Sequence, residues 1–212
     1  MNRAILDIHT HRLDATAALI AVDPRQFDPQ PGRWYAVGYH PWHGIDRLTD
    51  ADYDLLEQCA AHPQVLAIGE TGMDTLRGAT LDEQGAAFAR HLQLARRRGL
   101  PVIVHNVRAT QHILSIRHKA GLDDVVLAIH GMRGNEHVAR TLLDAGCYLS
   151  FGARFNPAAL LATPHGRLLI ETDEAPASIH EVAASVAACL HLTAAEILNI
   201  TNANAEKLLT KP

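Results

Sequence analysis

Short apolar runs alternate with amphipathic stretches along nearly the whole chain. The runs are short enough for buried β-strands, whereas the amphipathic stretches repeat their apolar residues at helical spacing. The pattern predicts eight strands, which cover residues 4–8, 17–22, 35–39, 65–69, 101–104, 125–129, 147–151 and 167–170. Strands that alternate with helices favour a parallel sheet, so the predicted class is α/β, a (β/α)8 barrel of the TIM type with its helices outside.

Capping residues and periodicity predict the helices between these strands. The clearest helix begins with the capping box of Thr80 and Glu83. Further helices are expected over residues 49–61, 110–120 and 135–145, and capping boxes at Ser178 and Thr193 predict two terminal helices. The link between the second and third strands is rich in proline and lacks helical periodicity. We therefore expect a distorted barrel, reduced by about one outer helix.

The composition is that of an ordinary globular protein. The chain has 212 residues, 48% hydrophobic and 20% charged, and we expect a single domain over residues 1–212. A formal net charge of −4 provides no general attraction to a polyanion, so a nucleic-acid substrate would need a local basic patch. Three cysteines without a C-x-x-C motif predict a reducing, cytoplasmic environment. We expect no signal peptide, no membrane span and no obligate protein partner.

Histidines and carboxylates recur at the ends of the predicted strands. His9 and His11 follow the first strand two residues apart, so both side chains can project from one face. Asp7 has the same parity and is predicted to accept a hydrogen bond from one imidazole. Other predicted strands run into the residues His40, Glu70, His105, His130 and Asp173. Because the carboxyl ends of parallel strands share one rim of a barrel, we expect these side chains to meet in one pocket.

This set of side chains predicts a metal site. With His40 set aside, the four imidazoles and two carboxylates suit two divalent ions that share a bridging carboxylate, activate water and promote a displacement at phosphorus. The metal is left open among Zn²⁺, Mn²⁺ and Mg²⁺, although nitrogen-rich ligation favours Zn²⁺, Mn²⁺ or Co²⁺ over Mg²⁺. Some barrel hydrolases use a carbamylated lysine as the bridge, but Lys119, Lys207 and Lys211 end no predicted strand. Glu70 is therefore the available bridge.

At this point the chain resembles the TatD family of metal-dependent hydrolases. The resemblance rests on the ordered segments DIHTH, GYHPW, IGETGMD, LPVIVHNVRA, IHGMRG and LLIETDEAP, and it extends from residue 5 to about 209. It implies a distorted (β/α)8 barrel and a hydrolase of phosphodiester bonds, often a deoxyribonuclease that acts from strand ends. The expected substrates are accordingly DNA ends or a small phosphoester.

The resemblance also implies a role for each metal ligand. One ion would be bound by His9, His11 and Asp173. The other would be bound by His105 and His130, and Glu70 would bridge the two ions.

Catalytic and substrate-binding roles follow from the same resemblance. Asp173 and Glu70 are the predicted catalytic residues, and Asp173 would act as general base for the attacking water, since a weakly coordinated carboxylate can accept that proton. His40 would contact the substrate rather than a metal. Arg108 and Arg133 would contact a phosphate group of the substrate.

Two departures from the family pattern concern the substrate. Longer members carry a tyrosine-containing, proline-rich segment after the ETDxP motif, whereas here residues 175–177 lead almost directly into the helix opened by Ser178. Arg108 lies three residues after His105, where the family usually has its arginine two residues after the histidine. Three hypotheses therefore remain. The first is a metal-dependent phosphodiesterase that acts on DNA ends, and the second is a hydrolase of a small phosphoester or other ester with no nucleic-acid substrate. The third is a non-catalytic, metal-stabilised binding protein.

Several polar and aromatic residues outside this set are expected to have no functional role. Trp42 is expected to be a packing residue, with the lining of the pocket mouth as the alternative role. The histidines on predicted helices or their ends are expected to lie on solvated faces; they are His62, His91, His112, His118, His137, His180 and His191.

Overall fold

The computed structural model describes residues 4–210. Eight β-strands lie in this range: β1 (Asp7–Thr10), β2 (Ala18–Val22), β3 (Trp34–Val37), β4 (Val65–Asp74), β5 (Val102–Val107), β6 (Leu127–Ile129), β7 (Tyr148–Phe151) and β8 (Leu168–Ile170). They follow one another in the sheet in the order β1 to β8, and the pairs β1·β2, β3·β4, β4·β5, β6·β7 and β7·β8 are parallel. A parallel bridge joins Thr10 to Asp173. The predicted (β/α)8 class is confirmed.

Seven α-helices lie in the same range: α1 (Asp50–Ala60), α2 (Leu81–Arg98), α3 (Thr110–Lys119), α4 (Glu136–Asp144), α5 (Pro157–Leu161), α6 (Ile179–Leu190) and α7 (Ala194–Leu209). As predicted, the β2–β3 connection contains no α-helix. It contains a short 3-10 turn, Pro24–Gln26, which was not predicted. The β1–β2 connection, residues 11–17, also contains no α-helix. The prediction of one missing outer helix concerned the β2–β3 connection alone. Helix α5 was not predicted either, because five residues are too few to show helical periodicity.

Local sequence sets the bounds of α2 as predicted. Thr80 Oγ1 accepts a hydrogen bond from Glu83 N, and the Glu83 carboxylate accepts one from Thr80 N at 2.9 Å. At the other end Gly99 has a φ of 61°, a left-handed conformation that favours a residue without Cβ. The other two predicted capping boxes are also present, at Ser178 and Thr193.

Strands β4 and β5 continue beyond their predicted ends. The ladder between them includes the partners Gly72 with His105 and Asp74 with Val107, and all ten residues of β4 are buried. Apolar periodicity could not predict this extension, because the added residues include buried polar side chains. Glu70 and His105 therefore lie within strands rather than just after them.

The described residues form two compact units, one with residues 4–20 and 128–210 and the other with residues 21–127. In the first unit, β7 and β8 are buried along their whole length, and α6 and α7 pack on β8. In the second unit, α2 packs on β4 and buries Phe88 and Leu92. The prediction of a single domain over residues 1–212 stays a prediction.

Hydropathy gives no single membrane-spanning helix among residues 4–210. Helices α6 and α7 are long and apolar enough for a membrane span only when they are taken together, and the two helices are bent by 105° relative to each other.

Candidate metal centre

Strand β1 with the residue that follows it, and the segment after β8, bring two imidazoles and a carboxylate together in the first unit. His9 Nε2 and His11 Nε2 each lie 3.7 Å from Asp173 Oδ1. The potential ligand atoms of the three residues all lie within 4.8 Å of one another. Donor atoms bound to one ion at about 2.1 Å lie roughly 3–3.5 Å apart, so this spacing is close to what a divalent cation requires. The His9 side chain is fully buried and that of His11 is 38% exposed, which leaves one side of the group open to solvent.

The backbone around Asp173 fixes its carboxylate against β1. Asp173 N donates a hydrogen bond to His9 O at 2.9 Å, and Thr10 Oγ1 donates to Asp173 O at 3.2 Å. Asp173 has a φ of 53°, in the left-handed region that aspartate adopts more readily than most residues. Such sparsely populated conformations persist where surrounding contacts enforce them, and they cluster at functional sites.

Asp7 connects β1 to the segment that precedes Asp173. Its carboxylate accepts hydrogen bonds from Thr172 Oγ1 at 2.6 Å, from Thr172 N at 3.0 Å and from His9 N at 3.3 Å. Burial raises the pKa of Asp7 to about 6, although the hydrogen bonds from Thr172 oppose that rise. The contacts of Asp7 therefore hold two ligand-bearing segments together. Its predicted hydrogen bond to an imidazole stays a prediction.

His130 and Glu171 form a second group with Asp173 in the first unit. The potential ligand atoms of these three residues also lie within 4.8 Å of one another. His130 Nδ1 lies 3.5 Å from Glu171 Oε1, which accepts a hydrogen bond from Gly131 N at 2.6 Å. Glu171 Oε2 is buried and has no hydrogen-bond partner within the described part of the chain. A buried carboxylate oxygen without a donor is costly, so this atom fits a bound cation.

The second unit contains a compact group of its own. His105 Nδ1 lies 2.9 Å from Glu70 Oε1, and His40 Nε2 lies 3.0 Å from the same oxygen. The two imidazole nitrogens are 3.3 Å apart. Burial lowers the pKa of His40, although its hydrogen bond with Glu70 opposes that shift. His40, predicted to contact the substrate, thus lies among predicted metal ligands and can itself offer a nitrogen to an ion.

Asp74, at the end of β4, lies on the far side of His105 from Glu70. Its Oδ2 lies 3.4 Å from His105 Nε2 and accepts a hydrogen bond from Trp42 Nε1 at 2.9 Å. Burial raises the pKa of Asp74, but hydrogen bonds from Leu76 N, Trp42 and His105 outweigh burial and hold the pKa below its ordinary value. Asp74 is therefore a carboxylate, and an acceptor, at neutral pH.

His91 supports the segment that carries His40. Its Nε2 accepts a hydrogen bond from Tyr39 N at 3.0 Å, and its Nδ1 lies 2.7 Å from Ala87 O. The expectation that His91 is solvated was wrong, since the side chain is fully buried. It lies three residues after Phe88, on the buried face of α2. Burial lowers the pKa of His91 to about 4, so the ring is neutral and donates from Nδ1 to Ala87 O.

The replacement His91→Leu is expected to lower the free energy of unfolding at pH 7 by about 1–3 kcal/mol, because Tyr39 N loses its acceptor. The deficit should shrink as the pH falls from about 6.5 to about 4. In that range His91 of the unfolded wild type binds a proton that the folded state does not bind, so the wild type loses stability while the variant has no such group. Urea unfolding at a series of pH values measures both effects.

The exposed His112 on α3 provides the control for that comparison. His112→Leu should leave the free energy of unfolding and its pH dependence close to those of the wild type. A deficit for His91→Leu that stays constant between pH 4 and 6.5 would contradict the assigned role of His91.

Comparison with known proteins identifies the family. Residues 27–210 match the family described as TatD related DNase. The chain belongs to this family. YabD of Bacillus subtilis (strain 168), named an uncharacterized metal-dependent hydrolase, is 32% identical over 194 residues, which cover 82% of this chain and 76% of YabD. The family resemblance predicted from the sequence is thus confirmed, and the protein is a hydrolase.

Two further comparisons concern activity and fold. TatD of Cronobacter turicensis, named a 3'-5' ssDNA/RNA exonuclease, is 35% identical over 153 residues, which cover 67% of this chain and 57% of that protein. The crystal structure of YJJV, a TatD homolog from Escherichia coli K12, has a TM-score of 0.81 and 22% identity over the whole of both chains. The likeness to YJJV shows the same fold.

The structure distributes the family's predicted site residues over both units. His9, His11, His130 and Asp173 lie in the first unit, and Glu70, His105 and His40 lie in the second. Their meeting in one pocket stays a prediction, as do their individual roles. Glu171 and Asp74 were not predicted as site residues. Glu171 is the first residue of the ETD motif that follows β8, and Asp74 is the last residue of the GMD motif that ends β4. One carboxylate was assigned to each of these two strand ends, Asp173 after β8 and Glu70 on β4, so the second carboxylate nearby was missed.

The predicted substrate-binding arginines both follow strands and are exposed. Arg108 comes directly after β5 with a φ of 53°, and Arg133 follows β6 by four residues. Lys119 ends α3 and Lys207 lies on α7, so neither ends a strand, and Lys211 lies outside the described residues.

Proposed function

We propose that this hydrolase is a divalent-metal-dependent phosphodiesterase that degrades single-stranded DNA from its ends. The observation that carries the proposal is the group of His9, His11 and Asp173, whose donor atoms lie within 4.8 Å of one another. Two imidazoles and a carboxylate are a common ligand set for a catalytic divalent ion. The exonuclease relative supplies the substrate class, since its name specifies single-stranded DNA and RNA.

We propose that the bound ions number two and that Zn²⁺, Mn²⁺ or Co²⁺ is preferred, because the ligand groups are rich in nitrogen. When bound, such ions would supply Lewis acidity toward water and toward the phosphate oxygens. The assignment of His105 and His130 to a second ion, with Glu70 as the bridge, stays a prediction.

The chain's own residues would perform the proton transfer and hold the substrate. The Asp173 side chain is 30% exposed beside two histidines, so it is accessible to water and can accept the proton released during attack on phosphorus. The guanidinium groups of Arg108 and Arg133 are exposed and would bind phosphate oxygens by charge-assisted hydrogen bonds. The exposed arginines would thus contact the polymer beside a ligand group in which His9 is fully buried and His11 and Asp173 are partly exposed.

A panel of substrates with added Mn²⁺ tests the proposal. It contains single-stranded DNA labelled at the 3′ or the 5′ end, the corresponding RNA and small phosphoesters. We expect successive shortening of the DNA, with labelled mononucleotide released first from one end. Intact oligonucleotides under conditions in which a small ester is hydrolysed would exclude the proposal.

A hydrolase of a small phosphoester or other ester is the second candidate. It is favoured by the short segment after Asp173, because only residues 174–177 precede the N-cap Ser178 of α6. The net charge of −4 points the same way. Turnover of the small esters alone in the panel would select this candidate. The predicted cytoplasmic location stays a prediction under either function.

A further inference from the structure

Both ring nitrogens of His105 face carboxylates within the second unit. Nδ1 lies 2.9 Å from Glu70 Oε1, and Nε2 lies 3.4 Å from Asp74 Oδ2. The His105 side chain is only 9% exposed, so water does not compete freely for either nitrogen. Which nitrogen carries the proton therefore depends on what each carboxylate can accept, and this choice decides where the lone pair of the ring points.

Protein donors hold Asp74 in place from several directions. Leu76 N donates to Oδ1 at 2.7 Å, and Trp42 Nε1 donates to Oδ2 at 2.9 Å. The backbone of Asp74 is fixed as well, because its N donates to Gln84 Oε1 at 2.8 Å and its O accepts from Gln84 Nε2 at 3.1 Å. Hydrogen bonds to both its backbone and its side chain therefore fix the position from which the Asp74 carboxylate contacts His105.

Trp42 adds a second constraint on this carboxylate. Asp74 Oδ2 accepts a hydrogen bond from the indole N–H and also lies next to the His105 ring. The centroids of the indole and imidazole rings are 5.1 Å apart, and the rings pack edge to face. The guanidinium of Arg77 lies 4.0 Å from the centroid of the indole on its face, which holds the indole in position. Trp42 therefore has a hydrogen-bonding role in addition to the packing role expected from the sequence.

We propose that Asp74, supported by Trp42, is a positioning residue that holds the Nε2–H tautomer of His105 and directs its Nδ1 lone pair toward the metal site. A carboxylate that accepts the second N–H of a ligating histidine fixes the orientation of the ring and raises its basicity as a ligand. Glu70, by contrast, lies on the Nδ1 side, where the ion would be bound. The inference rests on the proposed metal site, and it adds a residue that the sequence pattern did not assign.

Replacement of Asp74 by asparagine tests the inference, because the amide can present an N–H to Nε2 and so favour the opposite tautomer. Zn²⁺ affinity, measured by competition with a chromophoric chelator, should fall by about 10–100-fold. Nitrogen NMR of histidine-labelled, Zn²⁺-loaded protein should show the Nε2–H form of His105 in the wild type. Trp42→Phe keeps the carboxylate and removes one donor to it, so its Zn²⁺ affinity should lie between those of the wild type and Asp74→Asn.

Asp82→Asn, in the exposed first turn of α2, is the matched control and should bind Zn²⁺ like the wild type. Equal Zn²⁺ affinities of wild type and Asp74→Asn, a wild-type His105 in the Nδ1–H form, or a wild type that binds no Zn²⁺ would each overturn the inference. A wild type that binds Zn²⁺ more tightly than the variant, but cleaves no nucleic acid, would sink the proposed function and leave the positioning role standing.

Discussion

Replacement of Asp173 by asparagine is expected to lower the turnover number by about 10²–10⁴-fold, the range that a general base contributes. The amide keeps the size of the side chain and one oxygen near His9 and His11, but it cannot accept a proton from water. Because the left-handed conformation of residue 173 suits asparagine as well as aspartate, the backbone should not change. Initial rates on the preferred substrate of the panel, at saturating Mn²⁺, measure the effect.

The neighbouring carboxylate provides the control for this prediction. Glu174 directly follows Asp173 and is exposed, so Glu174→Gln removes a negative charge next to residue 173. Its turnover should match that of the wild type. If Asp173→Asn also hydrolyses at the wild-type rate, Asp173 is not the base, and the mechanism proposed for this group fails.

Removal of divalent metal is expected to have an equally large effect. Chelation followed by desalting should lower turnover by at least about a thousandfold, since the loss of a Lewis acid at phosphorus costs several kcal/mol of transition-state stabilisation. Added Mn²⁺, Zn²⁺ or Co²⁺ should restore more activity than Mg²⁺ does, because imidazole nitrogen supplies most of the donors. Circular dichroism of the metal-free protein verifies that the fold is retained. Undiminished turnover by protein that elemental analysis shows to be metal-free would refute metal dependence.

The strands and helices could largely be predicted because each depends on local information. Capping boxes such as Thr80 with Glu83 set helix ends, and short apolar runs between amphipathic stretches set the strands. The prediction of element bounds failed where a strand continues through buried polar residues or where a helix is very short. β4 continues to Asp74 through buried polar residues, and α5 is too short to have a periodic face.

The sequence predicted which residues belong to the candidate site more fully than it predicted the contacts that those residues make. His9, His11 and Asp173 were predicted as one group, and their donor atoms do lie together. The contacts of Asp7, Glu171 and His91 could not be predicted, because the choice of hydrogen-bond partner depends on tertiary packing between distant segments. His91 shows this most directly, since an imidazole on a buried helix face needs Tyr39 N as a donor, and nothing in the local sequence indicates that contact.

We expect the strand-end histidines and carboxylates to bind divalent metal. Anomalous diffraction from crystals grown with Zn²⁺, with data collected on both sides of the zinc absorption edge, locates bound zinc. One peak should lie at about 2.0–2.3 Å from donor atoms of His9, His11 and Asp173, and a second at that distance from Glu70 and His105. Peaks confined to exposed pairs such as His118 with Asp123, or no peak at all, would contradict this expectation.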